Sequence, residues 1–280
     1  MSIRLTAWAA LLLVVASAGC TPPDQEPDVN VAVALPTLAH DLHAVAAARI
    51  LLGHQSVGRN LLAGLGALSE EHGVPLRIVE IDGVPPDDGP GIFHSNIGRN
   101  GDPESKCEVF ARLLDRPERP RYDLAMMKFC YVDLGRDTPL EVAAMLERYT
   151  ALVEQIRRAR PDVRLVHVTM PLVADPPGKK TWLKRLVGLP TALDADSALR
   201  SAYNDALRER FAGEPLFDLA RVESTRPDGT RSSFSRDGKE IPTLAPPYTD
   251  DGAHLNAEGQ RRAAVEFVRT MAAALRTGSE

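Results

Sequence analysis

The segment 49–62 constrains the fold more than any other part of the chain. Its apolar start, residues 50–52, has the length and bulk of a buried strand, and a small polar loop, residues 53–56, follows it. The next leucines recur with helical spacing, at positions 61, 62, 65 and 68. A strand that ends at a polar loop before a helix places this loop at the carboxyl edge of a parallel sheet, where open α/β sheets hold their ligands. Ser56, at the helix start, is therefore a candidate nucleophile; the alternative is an ordinary serine near a helix N-cap.

The remainder of the chain alternates between strand and helix patterns. Further strands are expected at 76–81, 122–131, 164–170 and 215–219, and helices at 38–47, around 142–156, at 195–212 and at 257–275. Residues 83–101 are rich in glycine, proline and aspartate and are expected to form a loop. This alternation predicts an α/β fold with three α/β/α layers and a mostly parallel, flavodoxin-like sheet of about five strands.

The amino-terminal residues have the features of an export signal. Arg4 precedes an apolar run at 7–15 that is too short to span a bilayer, and small residues lead up to Cys20. This pattern resembles the bacterial lipobox, in which the cysteine becomes the first residue and carries lipid, although Ser17 stands where leucine is usual. We therefore expect a lipoprotein-type signal peptide at 1–20 and an exported protein held in the cell envelope through a lipid in the membrane; the alternative is cleavage near Ala18 and a soluble periplasmic or secreted protein.

Two further regions follow from composition. Residues 21–37, rich in proline and acidic residues, are expected to form a flexible tether, and residues 38–280 a single domain. The basic insertion at 178–187 could be a lid, a membrane-facing patch or a solvated short helix.

The charge and the scattered histidines narrow the classes of function. A net charge of −5 without a long basic run argues against nucleic acid as a partner. The chain has no His-Glu-x-x-His or Cys-x-x-Cys pattern, so we expect no metal and no other cofactor. His54, two residues before Ser56, is expected to be a hydrogen-bonded structural histidine; the alternative is that it lines the site.

A second group of reactive residues lies near the carboxyl end. Asp251 and His254 are three residues apart, a spacing at which a carboxylate in a tight turn can reach the imidazole of the same loop. Asn256 is placed to cap the helix that follows. The alternative is an Asp-His pair on the surface without a catalytic role.

Together, these two regions resemble the SGNH, or GDSL-like, hydrolase superfamily. In that family a serine follows the first strand and an Asp-x-x-His motif precedes the last helix, which corresponds here to Ser56, Asp251 and His254. The resemblance extends over about 45–275 and is strongest at 251–259, whereas Gly-His-Gln-Ser replaces the family's Gly-Asp-Ser at the serine. It implies that Ser56, His254 and Asp251 form a catalytic triad on an α/β/α fold.

The resemblance also indicates which groups would bind the oxyanion. The segment 96–102 is similar to the family's second block, which implies that the N–H groups of Gly101 and Ser56 form the oxyanion hole; alternatively, Gly101 only forms a tight turn. The family's third-block asparagine is missing, and Val132 occupies its place. Another donor, with Asn60, Asn96 and Asn100 as candidates, would replace it, or the hole has two donors, or activity is weak or lost.

Two cysteines remain if Cys20 carries lipid. Cys107 and Cys130 would then form an even pair in an oxidising compartment, and we expect a disulfide that rigidifies the oxyanion loop. The alternative is two free buried thiols.

The sequence therefore predicts a serine hydrolase that cleaves an ester. Its substrate is expected to be a small-molecule or glycan ester, for instance an O-acyl group on a carbohydrate of the cell envelope. Two alternatives stay open: an O-acyltransferase with the same triad, and a non-catalytic envelope binding protein on this fold.

Overall fold

The computed structural model describes residues 29–86, 89–116, 118, 121–135, 141–175 and 192–277. For residues 29–37, 192 and 193 only the backbone is described. The expected signal peptide with Cys20 and the basic insertion at 178–187 lie outside the described residues.

Strands and helices alternate through these ranges, as the sequence predicts. The described strands are β1 (Arg49–His54), β2 (Ile78–Glu80), β3 (Gly91–Asn96), β4 (Leu124–Met127), β5 (Arg164–Leu165), β6 (His167–Val168), β7 (Leu216–Phe217), β8 (Ser233–Arg236) and β9 (Lys239–Pro242). The described α-helices are α1 (Val29–Ala47), α2 (Val57–His72), α3 (Pro103–Leu114), α4 (Val142–Ala159), α5 (Ala192–Arg210), α6 (Leu219–Ser224) and α7 (Ala257–Arg276). Short 3₁₀ helices lie at Tyr131–Asp133 and Pro246–Tyr248.

The main sheet is parallel and has β1 at its centre. Its strand order is β2-β3-β1-β4-β5. The strand β6, which follows β5 after one residue, pairs in parallel with β7 in a separate two-stranded sheet. All six residues of β1 are buried, as its apolar sequence predicts. Because parallel strands end at one edge, the turn after β1 lies between the carboxyl ends of β3 and β4.

Helices cover both faces of this sheet. Ile50 and Leu52 point into a core shared with α1, α2 and α7, whereas Leu51 points into a core shared with α3, α4 and α5. The predicted three-layer α/β/α architecture is therefore confirmed.

One central strand lies in a segment that we expected to be a loop. β3 occupies 91–96 within the predicted loop 83–101 and pairs with β1 on one side and β2 on the other. Its apolar part is only Ile92 and Phe93, and the polar residues that follow lie at the carboxyl edge of the sheet. This composition hid the strand, because a periodicity-based interpretation needs a longer apolar run.

The first helix begins earlier than its expected start near residue 38. α1 extends back to Val29, so residues 29–37, which we assigned to the tether, are helical. The prolines and acidic residues that indicated a tether are concentrated in 22–28, whereas the sequence from Val29 is mostly valine, alanine and leucine. Among the helices described, none combines the length and the apolar character that crossing a bilayer requires.

The buried carboxyl group of Glu223 makes the free energy of unfolding depend on pH. Glu223 on α6 is 1% exposed, its Oε2 accepts a hydrogen bond from the Leu172 N–H at 2.6 Å, and burial raises its pKa to about 8. The native state therefore keeps a proton that the unfolded chain releases at lower pH. The free energy of unfolding therefore falls as the pH rises from the pKa of Glu223 in the unfolded chain to its pKa in the native state.

We expect Glu223→Gln to remove this loss, because the amide oxygen can still accept from Leu172 and carries no charge. Between about pH 5 and pH 8, the wild type should lose up to ~1.4 kcal/mol per pH unit relative to the variant. Urea denaturation of both proteins across this range measures the difference. A difference that does not change with pH would contradict the prediction.

Candidate active site

Ser56 occupies a strained turn between β1 and α2. It is the N-cap residue of α2, with φ 44° and ψ −105°, and no hydrogen bond from its side chain caps the helix. A positive φ in a non-glycine residue costs of order 1–3 kcal/mol and is often found at functional sites. The turn places the hydroxyl beside the helix N-terminus, where unpaired N–H groups stabilise negative charge.

His54 packs against the first turn of α2 and so supports the turn that carries Ser56. A Cβ at Gly58 would lie 2.4 Å from the Cβ of His54, so only glycine lets the first turn of α2 pack directly on the histidine. His54 is fully buried, its Nε2 lies 3.1 Å from Nδ1 of His94, and burial lowers its pKa to about 3. His54 is therefore a neutral structural histidine, as expected from the sequence.

The structure brings Ser56, His254 and Asp251 into line. Nε2 of His254 lies 2.7 Å from Oγ of Ser56, and its Nδ1 lies 2.7 Å from Oδ2 of Asp251. The other oxygen of Asp251 accepts from the N–H groups of His254 and Ala253, both at 2.8 Å. These backbone donors, followed by the imidazole, hold the pKa of Asp251 well below its usual range. An ionised carboxylate at this position fixes the imidazole tautomer that leaves Nε2 free to accept a proton.

The loop that carries Asp251 and His254, called the histidine loop below, is fixed between the helices α2 and α7. Asn256 caps α7 by accepting from the Gly259 N–H at 3.2 Å. Asn60 of α2 accepts from the Leu255 N–H at 3.3 Å and so connects the serine helix to the histidine loop. The side chains of His254 and Asp251 remain 42% and 57% exposed, which leaves the site accessible to a substrate and to water.

The expected role of Gly101 in the oxyanion hole is wrong for this structure. Its N–H donates to Oδ1 of Asp133 at 2.8 Å and is therefore not available to an oxyanion. The other oxygen of Asp133 accepts from the Cys130 N–H and from Nζ of Lys106, both at 2.6 Å. Lys106 and Asp133 are fully buried, so this ion pair fixes the loop around Gly101 to the residues after β4.

Of the three candidate asparagines, Asn96 is already committed as a donor. Nδ2 of Asn96 donates to Glu80 at 2.8 Å, whereas Asn60 uses its Oδ1 to accept from the Leu255 N–H. Oδ1 of Asn100 accepts from Nζ of Lys106 at 3.0 Å, which leaves its Nδ2 without a partner among the described residues of an exposed loop. Val132, at the position of the missing asparagine, is 40% exposed and offers only an apolar surface.

The ion pair that organises this loop is not among the predicted site residues, although one of its members carries a signal in the sequence. Lys106 lies between Pro103 and Phe110 on the face of α3 that is otherwise apolar and buried. A lysine in such a position predicts a buried acidic partner, because an unpaired charge in a core is costly. The partner itself, Asp133, is 27 residues away, and only the fold brings the two together.

The expected disulfide is also wrong. Cys107 and Cys130 are free, buried thiols. Cys107 packs in the core between α3 and α4, where burial raises its pKa to about 12, whereas Sγ of Cys130 accepts from Nζ of Lys128 at 3.5 Å. The ion pair between Lys106 and Asp133 therefore holds together the segments that we expected a disulfide to join.

Metal chemistry has no candidate site in the described ranges. Within them, no three His, Cys, Asp or Glu side chains are close enough together to bind a metal ion.

Comparison with known proteins gives similar structures but no sequence match. No protein-family model and no curated protein matches this chain. A carbohydrate esterase family 3 structure from Talaromyces cellulolyticus is 13% identical with a TM-score of 0.47, covering 82% of this chain and 99% of that chain. A lipase/acylhydrolase from Enterococcus faecalis is 14% identical with a TM-score of 0.46, covering 81% and 96%. Est24, a carbohydrate acetylesterase from Sinorhizobium meliloti, is 16% identical with a TM-score of 0.43, covering 80% and 99%.

At these levels of identity, we base the fold assignment on the strand order and the layers described above. The central β1, the serine turn that follows it and the Asp-x-x-His loop before the last helix occur in the order that the family resemblance implies. In its fold, this chain matches the SGNH hydrolases that its sequence resembles.

Proposed function

We propose that this chain is a serine-dependent hydrolase of carboxylic esters. The observation that carries the proposal is the alignment of three groups, with Oγ of Ser56 2.7 Å from one nitrogen of His254 and Asp251 2.7 Å from the other. Such an alignment activates a hydroxyl that is otherwise a weak nucleophile at neutral pH.

The reaction follows from this geometry. His254 takes the proton of Ser56 at Nε2 while Oγ attacks the ester carbonyl, and Asp251 stabilises the imidazolium that forms. His254 then gives the proton to the leaving alcohol. Water, deprotonated by the same imidazole, attacks the acyl-enzyme and releases the acid and Ser56.

In this proposal, the oxyanion is held by the Ser56 N–H and Nδ2 of Asn100. We expect Asn100→Ala to lower kcat by about 10²-fold, the usual effect of losing one such donor. Asn96→Ala is the matched control, because Nδ2 of Asn96 already donates to Glu80. Steady-state hydrolysis of 4-nitrophenyl acetate measures both. Equal effects of the two substitutions would exclude Asn100 from the oxyanion hole.

A fluorophosphonate probe tests the function without knowledge of the substrate. We expect covalent labelling at Ser56, located by mass spectrometry of the digested protein, because only an activated serine reacts readily with such a probe. His254→Ala should abolish labelling, since it removes the base. Labelling at another serine, or none in the folded protein, would refute the proposal.

The substrate that we propose is an O-acyl group on a carbohydrate of the cell envelope. This follows from the expected export of the chain, with Cys20 carrying a lipid that holds the domain at the membrane. The half-exposed His254 and Asp251 favour hydrolysis over acyl transfer, because transfer needs a site that excludes water.

A further inference from the structure

Tyr131 lies directly beside the proposed catalytic histidine. It opens the 3₁₀ helix after β4, and its ring centroid is 6.4 Å from that of His254, with the two planes at 75°. The residue is half-buried, and its hydroxyl forms no hydrogen bond with any described residue. Among the described residues, the phenol is therefore a polar group at the site without a hydrogen-bond partner.

The backbone of Tyr131 is held rigidly on both sides. Its carbonyl oxygen accepts from a guanidinium nitrogen of Arg200, which is buried, at 3.1 Å. Two residues later, Asp133 is anchored by Lys106 and by the Cys130 N–H. A side chain on such a support keeps its position without the help of a substrate, which lowers the entropic cost of binding to it.

The position of Tyr131 determines which part of an ester it meets. His254 delivers its proton to the oxygen of the leaving alcohol, so groups that flank the imidazole lie next to the alcohol part of the substrate. Burial and the negative charge of Asp251 raise the pKa of the Tyr131 hydroxyl, which stays protonated and able to donate. A phenol combines this donor with an apolar ring face, which suits an alcohol that has both hydroxyl groups and C–H surface.

We infer that Tyr131 binds the alcohol part of the substrate, through a hydrogen bond to a hydroxyl next to the ester, and thereby selects polyhydroxylated alcohols. This inference rests on the proposed ester hydrolysis and adds a specificity-determining residue to it. Because the alcohol leaves before deacylation, Tyr131 acts in acylation alone.

A matched pair of acetates tests the inference. Monoacetylated methyl glucosides and cyclohexyl acetate share the acetyl group and a six-membered ring, but only the glucosides carry hydroxyls beside the ester. We expect Tyr131→Phe to lower kcat/KM for the preferred glucoside about tenfold, which is the effect of one lost hydrogen bond. The kcat/KM for cyclohexyl acetate should stay within twofold of the wild-type value. The melting temperature should not change, because the hydroxyl binds no described residue.

A second tyrosine provides the control. The hydroxyl of Tyr248, near the histidine loop, donates to the Thr225 carbonyl at 2.7 Å in the interior. Tyr248→Phe should lower the melting temperature and affect both acetates alike. With 4-nitrophenyl acetate, the turnover rate after the burst, which reports deacylation, should be the same for Tyr131→Phe and the wild type.

Three results would overturn the inference: equal losses with both acetates, no loss with either, or a wild type that does not prefer any glucoside over cyclohexyl acetate. Equal losses would place Tyr131 in the triad or the oxyanion hole. Failure of the proposed function is a separate observation, since hydrolysis of 4-nitrophenyl acetate would then be the same for the wild type and Ser56→Ala.

Discussion

Ser56→Ala is expected to reduce kcat for 4-nitrophenyl acetate by about a millionfold, to the rate left by the oxyanion hole and substrate binding. The loss is this large because the hydroxyl, the imidazole and the carboxylate act as a unit. Purified protein and a burst-phase assay measure the change, since the acyl-enzyme should also disappear.

The control for this variant is a serine far from the site. Ser233 in β8 is exposed and donates to Glu240 on the neighbouring strand of the hairpin. Ser233→Ala should retain full activity. Equal activity of the wild type and Ser56→Ala would remove the enzyme hypothesis, whatever the fold.

Lys106→Met is expected to destabilise the protein by about 3–5 kcal/mol. It leaves the carboxylate of Asp133 buried without its cation, although the N–H groups of Gly101 and Cys130 still donate to it. Methionine keeps most of the side-chain volume, so the loss measures charge rather than packing. Urea denaturation of the wild type and the variant gives the difference in the free energy of unfolding.

An exposed ion pair on the same segment provides the comparison. Arg99 and Asp102 lie 2.7 Å apart, with side chains 81% and 33% exposed. Arg99→Met should cost less than about 1 kcal/mol, because water screens such a pair. Similar losses for both variants would show that burial of the Lys106 pair is not what stabilises this loop.

The fold was largely predictable from the sequence because its main signals are local. The run at 50–52 and the leucine spacing after it define the central strand and α2 within a short window. β3 was missed because its pairing on both sides comes from β1 and β2, which are distant in sequence. The hairpin of β8 and β9 pairs locally across Asp237-Gly238, a turn signal present in the sequence, but its strands lack a long apolar run.

The candidate site likewise combines contacts that are local in sequence with contacts that only the fold creates. Asp251 and His254 are close in sequence, so their contact was predictable. The contact between Ser56 and His254 followed from the family resemblance, in which a serine follows the first strand and an Asp-x-x-His motif precedes the last helix. The donors of the oxyanion hole were not predictable, because what a backbone N–H binds depends on the whole loop around it. The N–H of Gly101 has the place that the motif indicates, yet a carboxylate 32 residues away accepts its hydrogen bond.

The positive φ of Ser56 limits which other residues could replace it as nucleophile during evolution or engineering. A β-branched side chain is a genuine outlier at positive φ, so threonine would break the turn before it could react. Cysteine has an unbranched Cβ and fits the same backbone. A thiol-dependent descendant of this protein is therefore one substitution away, whereas a threonine-dependent one would need a rebuilt loop.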